Sequence, residues 1–278
     1  MTVVGYPGPR GSHTAAATAL LAPPGASIEP LASFMAVVEA TVGAEVGMGV
    51  LPIENSLHGP VAETHDLLYE APLSIVSEVT LPIVHCLLAR TPIQPSEVRT
   101  LRSYPVAFDQ CREFVHGSDA RCLASATTAD AAREVAESDD PTEAAIASER
   151  AARLHGLTVL AGDVGDHPEA YTRFVSVSTY TRLDRESDEW RTAFTFSTDH
   201  SPGALYRAIE PFGRLRINLH QLVSRPIPKT PWRYRFDAVL EGHPLDPIVS
   251  EVLREMRGRT RRLQVFGSYP AGRDIGEE

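Results

Sequence analysis

The sequence predicts an α/β protein in two unequal parts, and three observations carry that reading. Short apolar runs alternate with helix-forming stretches over the first 180 residues, as strands covered by helices require. A charged segment with little apolar content, Leu183-Asp184-Arg185-Glu186-Ser187-Asp188-Glu189, then breaks the pattern and reads as a linker over 181–190. After the linker the order strand, helix, strand, strand, helix, strand fills residues 191–270, which is the ferredoxin-like βαββαβ arrangement. A chain of 278 residues accommodates two domains of ordinary size.

Taken in order, Thr2–Tyr6 is a first strand, Pro7–Ser12 a glycine- and proline-rich turn, and the alanine-rich stretch from Thr14 a helix that Ser12 or Thr14 can cap. Further strands are expected at Gly47–Ile53, Leu73–Val79, Ile83–Leu88, Ala144–Ala147 and Thr158–Leu160. Helices are expected between them at Ser33–Val42, Val61–Tyr69, Ala107–Val115 and Thr128–Ala136. This alternation predicts largely parallel sheets covered by helices. In the second part the strands fall at Ala193–Ser197, Ile217–Val223, Tyr234–Leu240 and Arg262–Gly267, and the helices at Ala204–Phe212 and Asp246–Met256. The residues after Pro270 read as a tail, 271–278.

Composition narrows the function classes. Apolar residues make up 43% and charged residues 22%, a balance that suits a soluble globular protein. No apolar stretch approaches the roughly 20 residues of a membrane span, and no secretory leader is expected at the N-terminus. The net charge of −10 argues against a nucleic-acid or acidic-membrane partner. Cys86, Cys111 and Cys122 have no metal-ligand spacing and read as reduced thiols of a cytoplasmic protein. Neither a His-Glu-x-x-His pattern nor a complete Gly-x-Gly-x-x-Gly is present, so no metal and no organic cofactor is expected. Of the histidines near the motifs below, His13, His58, His65 and His85, none is expected to be catalytic.

The densest segment runs from Gly49 to Leu68 and contains Pro52-Ile53-Glu54-Asn55-Ser56. A buried strand there runs into polar residues and then a helix, so Glu54, Asn55 and Ser56 lie at a strand's C-terminal end. That edge is where open α/β sheets bind ligands, and the following helix offers free amides to an anion. The competing reading is that Asn55 and Ser56 only shape a turn and cap the helix.

The order and spacing of several segments resemble the prephenate dehydratase family over nearly the whole chain. Ile53-Glu54-Asn55-Ser56 with Gly59, Val61, Thr64 and Asp66-Leu67-Leu68 is the first such segment, and Gly8–Thr14 is similar to that family's opening turn. His85-Cys86-Leu87, Ser103-Tyr104-Pro105, Gln110-Cys111, Thr128–Ala132, Ala144–Ser148 and Thr172-Arg173-Phe174 complete the set. In the second part, Gly203-Ala204-Leu205-Tyr206 and Ser224-Arg225-Pro226 resemble the effector motifs of an ACT domain.

The resemblance implies a two-lobed catalytic domain with a central, periplasmic-binding-protein-like cleft over 1–180. Lobe one would be 1–78 with 171–180, and lobe two 79–170. It implies loss of carbon dioxide and hydroxide from prephenate to give phenylpyruvate, a step whose aromatic product needs no electron sink. Thr172 is implied as donor to the departing hydroxyl and Arg173 as carboxylate partner, with Glu54 polarising the network or serving a structural donor. Ser12, Thr14, Asn55, Ser56, Ser103, Gln110 and Phe174 are implied as substrate-binding, with Phe174 more a packing residue. The C-terminal domain is implied to pair in a homodimer, or a dimer of dimers, and to bind L-phenylalanine through Gly203, Ala204, Leu205, Asn218, Ser224 and Arg225. Departures from the family pattern are His13 for Phe or Tyr, Tyr104 for His, Ala170 for Asn, and Val223 for the Glu before Ser-Arg-Pro. The alternatives left open are an arogenate dehydratase, a prephenate decarboxylase-like enzyme, and a non-catalytic amino-acid sensor on the same two domains.

Overall fold

A computed structural model describes residues 2–181, 187 and 189–272. Most of the expected linker and residues 273–278 of the expected tail lie outside the described residues.

The first lobe is built from β1 (Val3–Pro7), α1 (His13–Leu21), β2 (Ser27–Leu31), α2 (Phe34–Val42), β3 (Met48–Asn55), the short β4 (Gly59–Pro60), α3 (Ala62–Glu70) and β5 (Ser74–Pro82). The chain then crosses into the second lobe. That lobe comprises β6 (Cys86–Ala89), β7 (Thr100–Ser103), α4 (Pro105–Gln110), α5 (Arg112–His116), β8 (Arg121–Ala124), α6 (Thr128–Glu137), β9 (Glu143–Ala147), α7 (Glu149–His155) and β10 (Thr158–Ala161). It returns through β11 (Tyr171–Ser178) into the first sheet, whose order is β2-β1-β3-β11-β5 with β4 on β3. The second sheet has the order β10-β6-β9-β7-β8. Where the chain leaves and re-enters, the Ile83 amide donates to the Ala170 carbonyl at 2.7 Å, so the two crossing segments are tied together.

The sheets are mixed rather than largely parallel, which corrects the sequence expectation. β1 is parallel to β2 and β3, and β7 to β8 and β9, whereas β11 is antiparallel to β3 and β5, and β6 to β9 and β10. The physical reason is the crossover. A strand that leaves for another lobe and the strand that comes back lie side by side in opposite directions. The helix expected over Ala107–Val115 is broken at Cys111, which leaves helical geometry at φ −122° and ψ 35°. Two contacts hold the break open: the Gln110 carbonyl accepts from the Asp166 amide, and the Asp166 carboxylate accepts from the Arg112 and Glu113 amides. That carboxylate stands in for the missing first-turn acceptors of α5.

The C-terminal part contains β12 (Trp190–Ser197), α8 (Ala204–Leu215), β13 (Leu219–Pro226), β14 (Tyr234–Glu241), α9 (Pro247–Arg259) and β15 (Arg262–Pro270), with sheet order β13-β14-β12-β15. One face carries α8 and α9 over a core of Phe194, Phe196, Phe212, Leu240, Val252 and Met256. The other face is docked on lobe one. Ala193, Val239, Phe266 and Tyr269 share one buried cluster with Val37, Leu51, Leu67, Ile75 and Val175. Gly267, at φ +154°, meets the Ile75 backbone so closely that a Cβ would overlap it, which is why the position requires glycine.

Charged groups are buried in that interface as well. Arg235, 1% exposed, donates to Asp66 at 2.8 Å and to Asp237 at 3.2 Å, and lies over the Tyr69 ring at 4.2 Å. Burial works against ionisation of Asp66, but hydrogen bonds from Arg235 and Arg225 outweigh it and hold its pKa below the usual carboxylate range. Arg191 bonds Glu78, whose Oε1 also accepts from the Gly272 amide at 2.8 Å. Removing one partner from such a cluster leaves an uncompensated buried charge. Arg235→Met is therefore expected to lower stability by about 3–5 kcal/mol, read from urea unfolding at pH 7. A loss below about 1 kcal/mol would show that Asp66 and Asp237 do not depend on this arginine.

Candidate active site

Between the lobes lies a cleft of ≈ 510 Å³.

Thr172 and Phe174 line the cleft from β11, and Asn55 lines it from the end of β3. The antiparallel register sets Thr172 opposite Asn55 and Arg173 opposite Glu54. Successive side chains on a strand point to opposite faces, so Thr172 and Phe174 enter the cleft and Arg173 leaves it. Asn55 donates through Nδ2 to the Thr172 hydroxyl oxygen at 2.9 Å and to the Tyr171 carbonyl at 3.1 Å. Its Oδ1 accepts from the Leu57 and His58 amides, both at 3.0 Å, which fixes the amide's orientation. Because the Thr172 oxygen accepts that bond, its own proton is not used by it and remains available to a ligand.

The sequence-predicted residues divide into two groups. Ser12, Thr14, Asn55, Gln110, Thr172 and Phe174 line the cleft. Glu54, Ser56, Arg173 and Ser103 are not among its lining residues. Arg173 donates to Glu54 at 2.7 Å, on the opposite side of the sheet from Thr172. Ser56 bonds the Tyr171 amide at 2.9 Å, and Ser103, fully buried, donates to the Ile146 carbonyl at 2.7 Å. In the C-terminal domain, Gly203, at φ +75°, precedes α8, and Ala204 and Leu205 begin it. Ser224 and Arg225 lie toward the same end of the sheet, because Arg225 and Ser197 both pair with Arg235. Asn218 is at the other end, where its carbonyl accepts from Glu241. Arg225 itself donates to Asp66 of the catalytic lobe at 2.6 Å.

No lysine or arginine is among the described residues lining the cleft, and its one carboxylate side chain is Glu63. Helix N-termini converge there instead. Ser12 caps α1, Ser33 caps α2 and Thr127 caps α6, each accepting from the amide three residues on, and all three caps line the cleft. α1 and α2 belong to lobe one and α6 to lobe two, so first-turn amides and positive helix ends face the cleft from both sides. No group of His, Cys, Asp or Glu able to hold a metal ion occurs among the described residues.

Two histidines that sequence reasoning set aside also line the cleft. The His85 and Gln110 side chains are hydrogen-bonded at 2.8 Å, and the His13 ring meets His85 edge-on at 6.3 Å between centroids. Burial, and then the proximity of His85, lower the His13 pKa to about 4, and burial lowers that of His85. Both rings are therefore neutral at pH 7. The place of His13 directly after the cap Ser12 was the available signal.

A family model for prephenate dehydratase matches residues 4–182. The chain belongs to the prephenate dehydratase family. It is 34% identical over 276 residues to arogenate dehydratase/prephenate dehydratase 2 of Arabidopsis thaliana, covering 96% of this chain and 72% of that one. It is similar to the structure of prephenate dehydratase in complex with L-Phe from Arthrobacter aurescens, with a TM-score of 0.87, 31% identity, and coverage of 97% and 90%. It is equally similar, at TM-score 0.87, 29% identity and coverage of 97% and 98%, to GqqA, described as a novel type of quorum quenching acylase.

The neutral histidines generate a pH prediction. A histidine whose folded pKa lies below its unfolded value of ~6.5 stabilises the protein fully above that value. The contribution is lost as pH falls toward the folded pKa. His13 is thus expected to contribute to a fall in stability between pH ~6.5 and about 4. His13→Phe, which keeps an aromatic ring without a titrating group, should flatten that part of the curve. Urea midpoints at pH 7.5, 6 and 5 check it; equal slopes in both proteins would clear His13 of the effect.

Proposed function

We propose that the protein catalyses the decarboxylating dehydration of prephenate to phenylpyruvate, and the Asn55–Thr172 hydrogen bond at the head of the cleft carries the reading. In this reaction the ring carboxylate leaves as carbon dioxide. Its electron pair enters the ring, and the C4 hydroxyl departs with a proton as water. Asn55 holds the Thr172 oxygen as an acceptor, so the hydroxyl proton can be directed at the departing oxygen. Phe174, 2% exposed, supplies an apolar wall for the ring.

The substrate is a dicarboxylate, and the cleft offers it amides rather than cations. Support comes from the converging N-termini of α1, α2 and α6, which can receive one carboxylate from each lobe. Arg173 is then a partner of Glu54 and not of substrate. This replaces the role that the resemblance implied for it. Arogenate carries an ammonium group where prephenate carries a ketone. The single cleft carboxylate, Glu63, is exposed at the first turn of α3, so we assign prephenate as the preferred substrate.

Ultraviolet detection of phenylpyruvate from prephenate, with arogenate run beside it, tests the reading. Thr172→Ala is expected to lower kcat by roughly a hundredfold, the scale of one positioned donor, with the thermal midpoint little changed. Near-normal turnover in that variant would remove Thr172 from the chemistry.

The regulatory reading is that the C-terminal domain pairs with a second copy in a cytoplasmic homodimer and binds phenylalanine at the pairing surface. The Arthrobacter aurescens relative, whose structure holds L-Phe, supports it. Gly203, left-handed and followed by the N-terminus of α8, offers close backbone approach and first-turn amides to a carboxylate. Calorimetric titration should show phenylalanine binding to the wild type and at least about tenfold weaker binding to Gly203→Val. Equal binding in both would place the effector elsewhere.

A further inference from the structure

The face of β13 turned toward the catalytic lobe carries Gln221 and Arg225, four residues apart and therefore on one side of the strand. Both reach the segment that holds Asn55. Gln221 donates through Nε2 to Glu54 Oε1 at 2.8 Å, immediately before Asn55. Arg225 donates to Asp66 at 2.6 Å and to the Ala62 carbonyl at 3.3 Å, in the helix immediately after the loop. β13 thus grips both ends of the loop that presents Asn55 and Ser56.

The Glu54 end is the more consequential. Its second oxygen, Oε2, accepts from Arg173 at 2.7 Å. Glu54 and Arg173 are directly paired across β3 and β11, one step from the Asn55–Thr172 pair, and the ladder slips its register just beyond them, between Arg173 and Phe174. A bulge disrupts backbone pairing and re-aims the neighbouring side chains. The alignment of Asn55 with Thr172 then depends on side-chain ties near the slip. Among the described residues Arg173 has one further acidic neighbour: its buried Nε has no hydrogen-bond partner and stands 3.8 Å from Glu78 Oε2. Glu54 is the strong tie, and Gln221 fixes the position of Glu54.

We propose that Gln221, a residue of the C-terminal domain, is a positioning residue for the dehydration. Its amide orients the Glu54 carboxylate, which holds Arg173, and this pair keeps Thr172 in line with Asn55 on the far face of the sheet. The proposal rests on the reading of Thr172 as the hydroxyl-directed donor. It also supplies a physical route from the regulatory domain to the cleft, because Ser224 and Arg225 lie on the same strand as Gln221.

The experiment compares wild type, Gln221→Leu and Gln221→Lys in the full-length chain. Leucine keeps the bulk and removes the donor; lysine restores a donor to Glu54. Gln221→Leu should lower kcat about fivefold to tenfold, part of the worth of one hydrogen bond to a charged group because Gln221 acts at one remove, with KM within about twofold. Gln221→Lys should recover most of the loss. A kcat within about twofold of wild type in Gln221→Leu, or equal losses in a folded Gln221→Lys, overturns the proposal. Amide hydrogen exchange over residues 53–58 and 171–174 gives a readout independent of substrate. If the wild type forms no phenylpyruvate, the functional reading fails, and exchange alone decides this proposal. Faster exchange in Gln221→Leu that lysine reverses supports it, and equal exchange in all three proteins overturns it.

Discussion

The return strand β11 lies antiparallel between β3 and β5, and most of the molecule's chemistry follows from that seating. It closes the first sheet after the excursion through lobe two, brings Thr172 beside Asn55, and ties the crossover through Ile83 and Ala170. It also divides three consecutive residues between two environments. Thr172 and Phe174 face the cleft, while Arg173 faces the buried charges under the C-terminal domain. A strand's period of two leaves no other outcome.

The sheet of the C-terminal domain is no appendage on a tether. Its apolar face completes the core of lobe one, and Gly267 lets backbone meet backbone at Ile75. Into the same interface go Arg235, Asp66, Asp237, Glu78 and Arg191. Several polar atoms of the interface, among them Glu78 Oε2, Arg191 Nε and Arg225 Nε, have no hydrogen-bond partner. Such an interface is firm in its apolar part and sensitive in its polar part, since a buried charge gains stability only while its partners stay aligned.

Among the described residues no lysine or arginine lines the cleft, and what it offers an anion is helix ends. Capped helices from both lobes direct their free amides into it, and His13 and His85 stay neutral because burial disfavours their charged forms. Backbone dipoles need no counter-ion and hold fixed positions, which suits a site that must grip a rigid dicarboxylate.

Legible in the residues alone were the two-part α/β order, the strand-to-helix setting of Asn55, the cap Ser12 on an alanine-rich helix, and the ferredoxin-like order of the second part. These are local properties, written in periodicity and capping chemistry within a few residues. No strand was expected over Tyr171–Ser178, although a strand's period there is what separates Thr172 from Arg173. Pairing between distant segments came only with the packed fold. The mixed strand directions, the break at Cys111 held by Asp166, the burial of Ser103, and the reach of Gln221 to Glu54 all join residues far apart in the chain. Sequence spacing carries no record of such contacts, because they arise from how finished elements pack against one another.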